Sequence, residues 1–351
     1  MTRLSARQLS ANEGPFGRGL AIVRPDAVPE GSVVTVLRVP PEMAGTRLDR
    51  FVQSQLKRTS RTRARHIIEL GAYSPEAQRL RPNGRVRAEQ LVLLWRAPWD
   101  EKAPDVRLRV LYDDDELLAV DKPAGIPVHP TARYHASTVV KMLEVDRPDE
   151  TLRLSHRLDR ETSGVLLLAK TAEADRRVKA QFEARSAVSK RYLAITWGAP
   201  VDDSFRVELP LELDPTSRYK VKMRVAAASR GLRAATGFEV LGRRVDAATG
   251  RRYGLVRCAL ETGRQHQIRL HLAALDLPIV GDKLYGPNED LFARGADGEL
   301  TDEDRVVLEL DRHALHAESL ALDHPSLPKR VEIESALPDD LRAFWSALEE
   351  A

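Results

Sequence analysis

Cysteine occurs once in the 351 residues, at position 258. That excludes an intramolecular disulfide framework and any multi-cysteine zinc site. The alternating apolar pattern around Cys258 reads as a strand holding a plain buried thiol. Aromatic residues make up 5% of the chain, and no aromatic platform of the kind that grips sugars stands out. The apolar runs stop at five or six residues, far short of the roughly 20 that a membrane helix needs. Met1 to Leu20 has no apolar centre of the signal-peptide kind, so a cytoplasmic protein with no membrane partner is expected. The net charge of +3 is too small to argue for any class of partner by itself.

The residues that are abundant describe a soluble globular chain of two or three domains, with 42% hydrophobic and 30% charged residues. Charge is unevenly distributed. Residues 47–65 carry seven Lys or Arg against one acid, Asp49, whereas residues 288–311 carry nine acids against two arginines. Such separation of sign is the footprint of a protein with one nucleic-acid face, although a basic helix face can also be merely solvated.

Residues 1–37 hold Gly14, Gly17 and Gly19 among scattered polar residues with no period, and read as a flexible N-terminal arm. Residues 38–100 read as a small α+β domain. Thr46 is placed to cap a helix with Leu48, Phe51, Val52 and Leu56 on one face. Ser60 is placed to cap a second, ended by Gly71, with Ala64, Ile67 and Ile68 inward and Arg58, Arg61, Arg63 and Arg65 outward. Asn83-Gly84 signals a hairpin turn before a strand from Leu91 to Trp95. Arg96 to Pro104 reads as a linker, and residues 101–351 as a larger domain. There, strands are expected at Leu108–Tyr112, Leu117–Asp121, Lys190–Trp197, Thr236–Leu241 and Leu255–Glu261, and helices at Ser137–Leu143, Ala172–Ala184 and Arg264–Leu275. Gly242–Gly254 reads as a basic hairpin tip, and about 288–311 as an acidic surface insertion. Strands and helices without strict alternation predict an α+β domain: a mixed, largely antiparallel central sheet flanked by helices.

Within that domain, Asp159 lies among His156, Arg157 and Arg160, just before Thr162-Ser163-Gly164 and the buried-strand run Val165–Ala169. Neighbouring cations favour the ionised carboxylate. That suits a nucleophile, and it equally suits a structural ion pair. Asp159 and Glu161 together allow a glycosidase-type acid pair that spacing alone does not exclude. Metal chemistry finds less support. His266 and His271 are five apart and diverge by about 140° on a helix, and His313 with His316 lacks a third ligand.

The string His156-Arg157-Leu158-Asp159-Arg160-Glu161-Thr162-Ser163-Gly164 closely resembles the signature of the RluA-class pseudouridine synthases. Three more strings follow in that family's order: Lys190-Arg191-Tyr192-Leu193-Ala194, Thr262 through His271, and Pro278-Ile279-Val280-Gly281-Asp282 with Tyr285-Gly286. Upstream, Val120 through Pro130 resembles its opening strand and loop, so the likeness spans roughly residues 105–335. Residues 38–100 resemble the RNA-binding module named after ribosomal small-subunit protein four, departing from it after Gly71.

The resemblance implies an isomerase that turns uridine into pseudouridine in RNA, most naturally ribosomal RNA. The glycosidic bond breaks, the uracil rotates and re-bonds through its 5-carbon, and no metal or cofactor is required. Asp159 would be the nucleophile, attacking the sugar or the ring; Arg264 would pair with it, though alone that arginine reads equally as a cap on backbone carbonyls. Tyr192 would lie on the uracil and take the proton from carbon, where a lone strand tyrosine would otherwise be core. Arg157 would fill the gap left by the extruded base, with His156, Lys190, Ile268 and Arg269 as further substrate contacts. Arg47, Arg50, Arg58, Arg61, Arg63 and Arg65 would face RNA. A monomer is expected. The alternative is an RNA-binding or ribosome-assembly protein on the same fold without turnover, which would need none of the Asp159, Tyr192 and Arg264 trio.

Overall fold

The computed structural model describes residues 22–30, 32–56, 59–96, 106–130, 134, 137–184, 188–227 and 230–351. The chain divides into two compact units, Met1–Glu101 and Lys102–Ala351.

In the first unit, β1 (Val33–Arg38) precedes helices α1 (Leu48–Gln55) and α2 (Arg61–Gly71), then β2 (Ala72–Tyr73) and β3 (Leu91–Arg96). The three strands form an antiparallel sheet in the order β1-β3-β2. Phe51 and Val52 of α1 and Ala64 and Ile68 of α2 are fully buried against Val92 and Leu94. Strand β1 begins inside the stretch 1–37 read as an arm and runs one residue past it, pairing residue for residue with β3 from Val33↔Arg96 to Arg38↔Leu91.

Ser60 caps α2 by accepting from the Arg63 amide at 3.2 Å. Thr46 does not cap α1. The N-cap is Arg47, with no side-chain cap, and its guanidinium turns to Asp49 in the first turn instead. The expected hairpin at Asn83-Gly84 is a lone turn, closed by Gly84 N–H donating to Arg81 O, and a second turn intervenes before β3.

The second unit is a sheet of eleven strands with helices against it. In chain order its elements are β4 (Arg109–Asp113), β5 (Leu117–Lys122), α3 (Val139–Asp146), β6 (Arg153–Leu154), β7 (Ser163–Ala169) and α4 (Ala172–Ala184). Next come β8 (Ser189–Trp197), β9 (Ser204–Glu208), a separate ribbon of β10 (Leu211–Leu213) and β11 (Met223–Val225), then β12 (Ala235–Val245) and β13 (Arg252–Leu260). The chain finishes with α5 (Gln267–Ala273), α6 (Asp290–Asp297), α7 (Asp302–Leu308), β14 (Leu315–Asp323), β15 (Arg330–Glu334), α8 (Asp339–Ser346) and β16 (Glu349–Glu350). The strand order is β16-β12-β13-β8-β14-β7-β5-β4, with β9, β6 and β15 paired onto β12, β7 and β14. The ladders are antiparallel except β7 with β14, so the sheet is mixed and largely antiparallel as the sequence predicts.

Every residue of β7 is buried, as the apolar run Val165–Ala169 requires of a central strand. Successive side chains alternate faces. Leu166 and Leu168 pack with Leu118, Val120 and α3, while Val165 and Leu167 pack with Leu117, Ala119 and Val178 of α4. Gly164 makes the parallel contact possible: it sits at φ +108°, and a Cβ there would stand 2.2 Å from Ala317 O. The β12–β13 hairpin runs further than expected, to Val245↔Arg252, which narrows the turn to residues 246–251. Helix α5 starts three residues later than predicted, because His266 adopts a left-handed conformation in front of it. The acidic stretch 288–311 holds α6 and α7.

Candidate active site

Asp159 follows β6 and precedes β7, in a turn fixed from behind by Lys122. That lysine is fully buried at the end of β5, and its Nζ donates to the carbonyls of Pro123, Arg160 and Thr162 at 2.7, 3.0 and 2.8 Å. Three carbonyls match the three donors of an ammonium, although burial pulls its pKa down to about 7. On the other side, Thr162 Oγ1 lies 2.8 Å from His313 Nε2, and Lys283 Nζ donates to Glu161 at 3.0 Å. The turn carrying Asp159 is therefore anchored on both flanks.

The carboxylate faces a cleft of about 360 Å³, whose lining includes Arg157, Tyr192, Arg264, His266, Ile268 and Arg269. Arg269 Nη1 donates to Asp159 Oδ2 at 3.1 Å. Among the described residues no hydrogen bond reaches the other oxygen, Oδ1. Arg269 is itself gripped by Asp282, Nε to Oδ2 at 2.6 Å and Nη2 to Oδ1 at 2.8 Å. Asp282 is fully buried and also accepts from the amides of Leu284 and Tyr285 at 2.9 and 3.0 Å.

Burial opposes the charge on Asp159, yet its pKa lies below the ordinary carboxylate value because His266, Arg269 and His313, in that order, favour the ionised form. His266 is pulled down to about 4 by burial and by Arg269, so near neutral pH it carries no charge. Arg269 is then the cation that keeps Asp159 ionised.

The expected pairing of Arg264 with Asp159 is corrected by this geometry: the partner is Arg269. Arg264 precedes α5, where its amide donates to Gln267 Oε1 at 3.0 Å and its Nε to Arg233 O at 3.2 Å. It lines the cleft without touching the carboxylate. Arg269 lies inside the helix, buried, where the bidentate Asp282 and the single contact to Asp159 compensate its charge.

The remaining expected residues fall as follows. Tyr192, on β8, lines the cleft between two apolar clusters, and burial first, then the charge of Asp159, push its phenol above the ordinary value. Lys190 stands over the Phe182 ring at 4.1 Å, and burial lowers it to about 8. His156 lines the cleft, but its Nε2 accepts from the Leu167 amide at 3.0 Å and burial takes it down to about 3, so it is a neutral brace on β7. Arg157 is exposed at the mouth and makes no ion pair among the described residues. Ile268 is largely buried and lines the cleft from the first turn of α5.

Sequence reasoning singled out none of Asp282, Tyr285, Lys122 or His313 for a role. Asp282 and Tyr285 stood within a recognised string, and a buried arginine in the neighbouring one was the signal that an acid must answer it. His271 bonds Thr236 Oγ1 and Leu209 O, and His316 bonds Ser163 and Ser335 O.

In the N-terminal unit, Arg47 and Arg61 reach the buried Asp49 at 2.9 and 3.2 Å, and Arg65 pairs with Glu69 at 2.8 Å. Arg50 and Arg63 are exposed with no ion pair among the described residues. Arg58 lies outside the described residues.

Residues 116–274 match the family model described as RNA pseudouridylate synthase. A protein of Xanthomonas campestris pv. campestris named ribosomal large subunit pseudouridine synthase D is 34% identical over 322 residues, covering 89% of this chain and 92% of the relative. One of the same name from Pseudomonas aeruginosa is 34% identical over 317 residues, covering 88% and 94%. Among solved structures, human RNA pseudouridylate synthase domain containing 1 superposes with a TM-score of 0.57 at 25% identity, covering 72% of this chain and 91% of that one.

Proposed function

The chain belongs to the RNA pseudouridylate synthase family and is an RNA isomerase, and we propose that its substrate is a uridine of large-subunit ribosomal RNA, with Asp159 as the nucleophile. The observation that carries the proposal is the state of that carboxylate. Oδ2 is held by a buried arginine, and Oδ1 accepts no hydrogen bond from the described residues, within a cleft of about 360 Å³, a size suited to one small ligand. The names of the relatives support the ribosomal substrate. The alternative of an RNA-binding protein without turnover is not favoured by those relatives.

In the proposed reaction the uridine leaves its stack, at a cost of a few kcal/mol, and Arg157 at the mouth offers a guanidinium to occupy the space. Asp159 Oδ1 attacks the sugar or the ring, the bond from C1′ to N1 breaks, and the uracil turns against Tyr192. C5 bonds to C1′, the bond to Asp159 Oδ1 breaks and returns the carboxylate, the C5 proton leaves, and N1 gains one, so the product is an isomer of the substrate and the enzyme is unchanged. Covalent carboxylate catalysis divides one hard step into two easier ones. Mapping pseudouridine across ribosomal and transfer RNA, in cells with and without this chain, tests the substrate: loss at one large-subunit uridine supports it, and loss confined to transfer RNA contradicts it.

A further inference from the structure

We infer that Tyr285 and His266 act as a positioning relay that restrains Oδ2 of Asp159 and reserves Oδ1 for the reaction, an inference that rests on the role proposed above for Asp159.

The relay can be followed atom by atom. Tyr285 Oη accepts from the backbone amide of Met223 at 2.9 Å and lies 2.9 Å from His266 Nδ1. The amide can only donate, so the phenolic proton is free for Nδ1, and a histidine whose Nδ1 accepts carries its ring proton on Nε2. That Nε2 faces Asp159 Oδ2 at 3.8 Å, the same oxygen that Arg269 holds at 3.1 Å. The separation is long for a hydrogen bond, as is common before substrate closes a site. The opposite tautomer would aim two donors at the Tyr285 oxygen and leave a bare nitrogen lone pair towards a carboxylate.

Two further features favour a built arrangement over incidental packing. His266 holds φ 57° and ψ 18°, a left-handed conformation uncommon for a residue other than glycine, and it is this conformation that precedes α5. Tyr285 also serves Arg269 directly: the guanidinium lies over its ring at 5.1 Å, and the His266 ring meets the same ring edge-on at 5.6 Å. One tyrosine thus supports both groups that face Oδ2. Because Met223 begins β11, the relay also ties the β10–β11 ribbon to the reacting carboxylate. His266 and Tyr285 are positioning residues here; neither is assigned contact with the reacting atoms.

The direct test is the tautomer. In full-length protein labelled with nitrogen-15 at histidine, the His266 signals are identified by their loss in His266→Gln. Near neutral pH the relay requires a protonated Nε2 and an unprotonated Nδ1. A protonated Nδ1, alone or in an imidazolium, overturns it, whatever the enzyme's activity. Kinetics supply the second test. Tyr285→Phe keeps the ring over Arg269 and removes only the hydroxyl, so kcat should fall by about 10- to 100-fold, by analogy with partners that orient metal-bound histidines, with KM for RNA nearly unchanged. His266→Leu should fall as far, and the double variant no further, since members of one relay do not add. An unchanged kcat for Tyr285→Phe, or additive losses, contradicts the relay. If instead Asp159→Asn retains turnover, the role of Asp159 fails independently of the tautomer.

Discussion

Arg269 spends two of its nitrogens on Asp282, at 2.6 and 2.8 Å, and reaches Asp159 only with Nη1, at 3.1 Å. Its direction is therefore set by a fully buried acid, and Asp159 meets a guanidinium already in place. Preorganisation of this kind spares the reaction the cost of orienting the group.

Replacing Arg269 by Lys keeps a positive charge but loses the fork that fits Asp282. A charged hydrogen bond is worth about 1.5–3 kcal/mol, so turnover by Arg269→Lys should drop by roughly 10- to 100-fold. Arg264→Lys, which leaves the hydrogen bonds of the carboxylate intact, should stay within about threefold of the parent by the same conversion. Single-turnover assays on both variants decide between the two arginines, and a larger loss at Arg264 reverses the assignment.

Tyr192 offers a test of sign. Its phenol lies above the ordinary value because burial, then the charge of Asp159, disfavours the phenolate. If the phenolate takes the C5 proton, tritium release from 5-labelled RNA should climb about tenfold per pH unit below that raised value. Tyr192→Phe should release almost no tritium, yet leave a rearranged or enzyme-linked nucleotide after digestion. A flat profile, with release surviving in Tyr192→Phe, reduces Tyr192 to a packing surface.

Much of this was legible in the chain because the relevant signals are local. The fully apolar run Val165–Ala169 has the length and composition of a buried strand, and Ser60 before Arg61-Thr62-Arg63 carried its own cap. Arg269 was harder. Which of two arginines five residues apart reaches a carboxylate depends on where α5 begins, and that is set by the left-handed turn at His266, for which a histidine gives little local signal. Asp282 gave no local sign of its role, since a buried acid announces itself only through its partner. Arg47 stands in place of Thr46 as the N-cap, with its guanidinium on Asp49 rather than any side chain on the free amides.

Asp49 gives a stability prediction. Its carboxyl is 2% exposed, and the hydrogen bond from Arg47 leads the effects that lower it to about 2. A depressed carboxylate stabilises the fold above its unfolded value and loses that contribution as pH falls through the folded one, which corresponds to about 2 kcal/mol here. Asp49→Asn should therefore lower the urea stability of the N-terminal unit by about that amount at neutral pH, with the gap to the parent closing between about pH 4 and 2. A gap that does not change with pH shows that packing, rather than charge, is responsible.

Of the described arginines in the 47–65 stretch, Arg50 and Arg63 are exposed and make no ion pair among the described residues, so their guanidinium groups are available to phosphate. Removing one arginine–phosphate pair should flatten the slope of log affinity against log salt by about 0.7 to 0.9. Arg50→Ala with Arg63→Ala should therefore shift the slope by about 1.4 to 1.8, and the whole basic face should matter more. Equal slopes for the parent and for a chain lacking residues 1–100 would remove this unit from RNA binding.

The central claim is that Asp159 isomerises a large-subunit ribosomal uridine, and complementation measures it most directly. Cells lacking the chain receive either the parent or Asp159→Asn, and pseudouridine is mapped across large-subunit ribosomal RNA. Asparagine keeps the shape of the side chain and removes the nucleophile, so the variant should fold and bind RNA as the parent does. The parent should restore pseudouridine at its uridine, and Asp159→Asn should leave that position as uridine. Restoration by the variant to the parental level contradicts the claim.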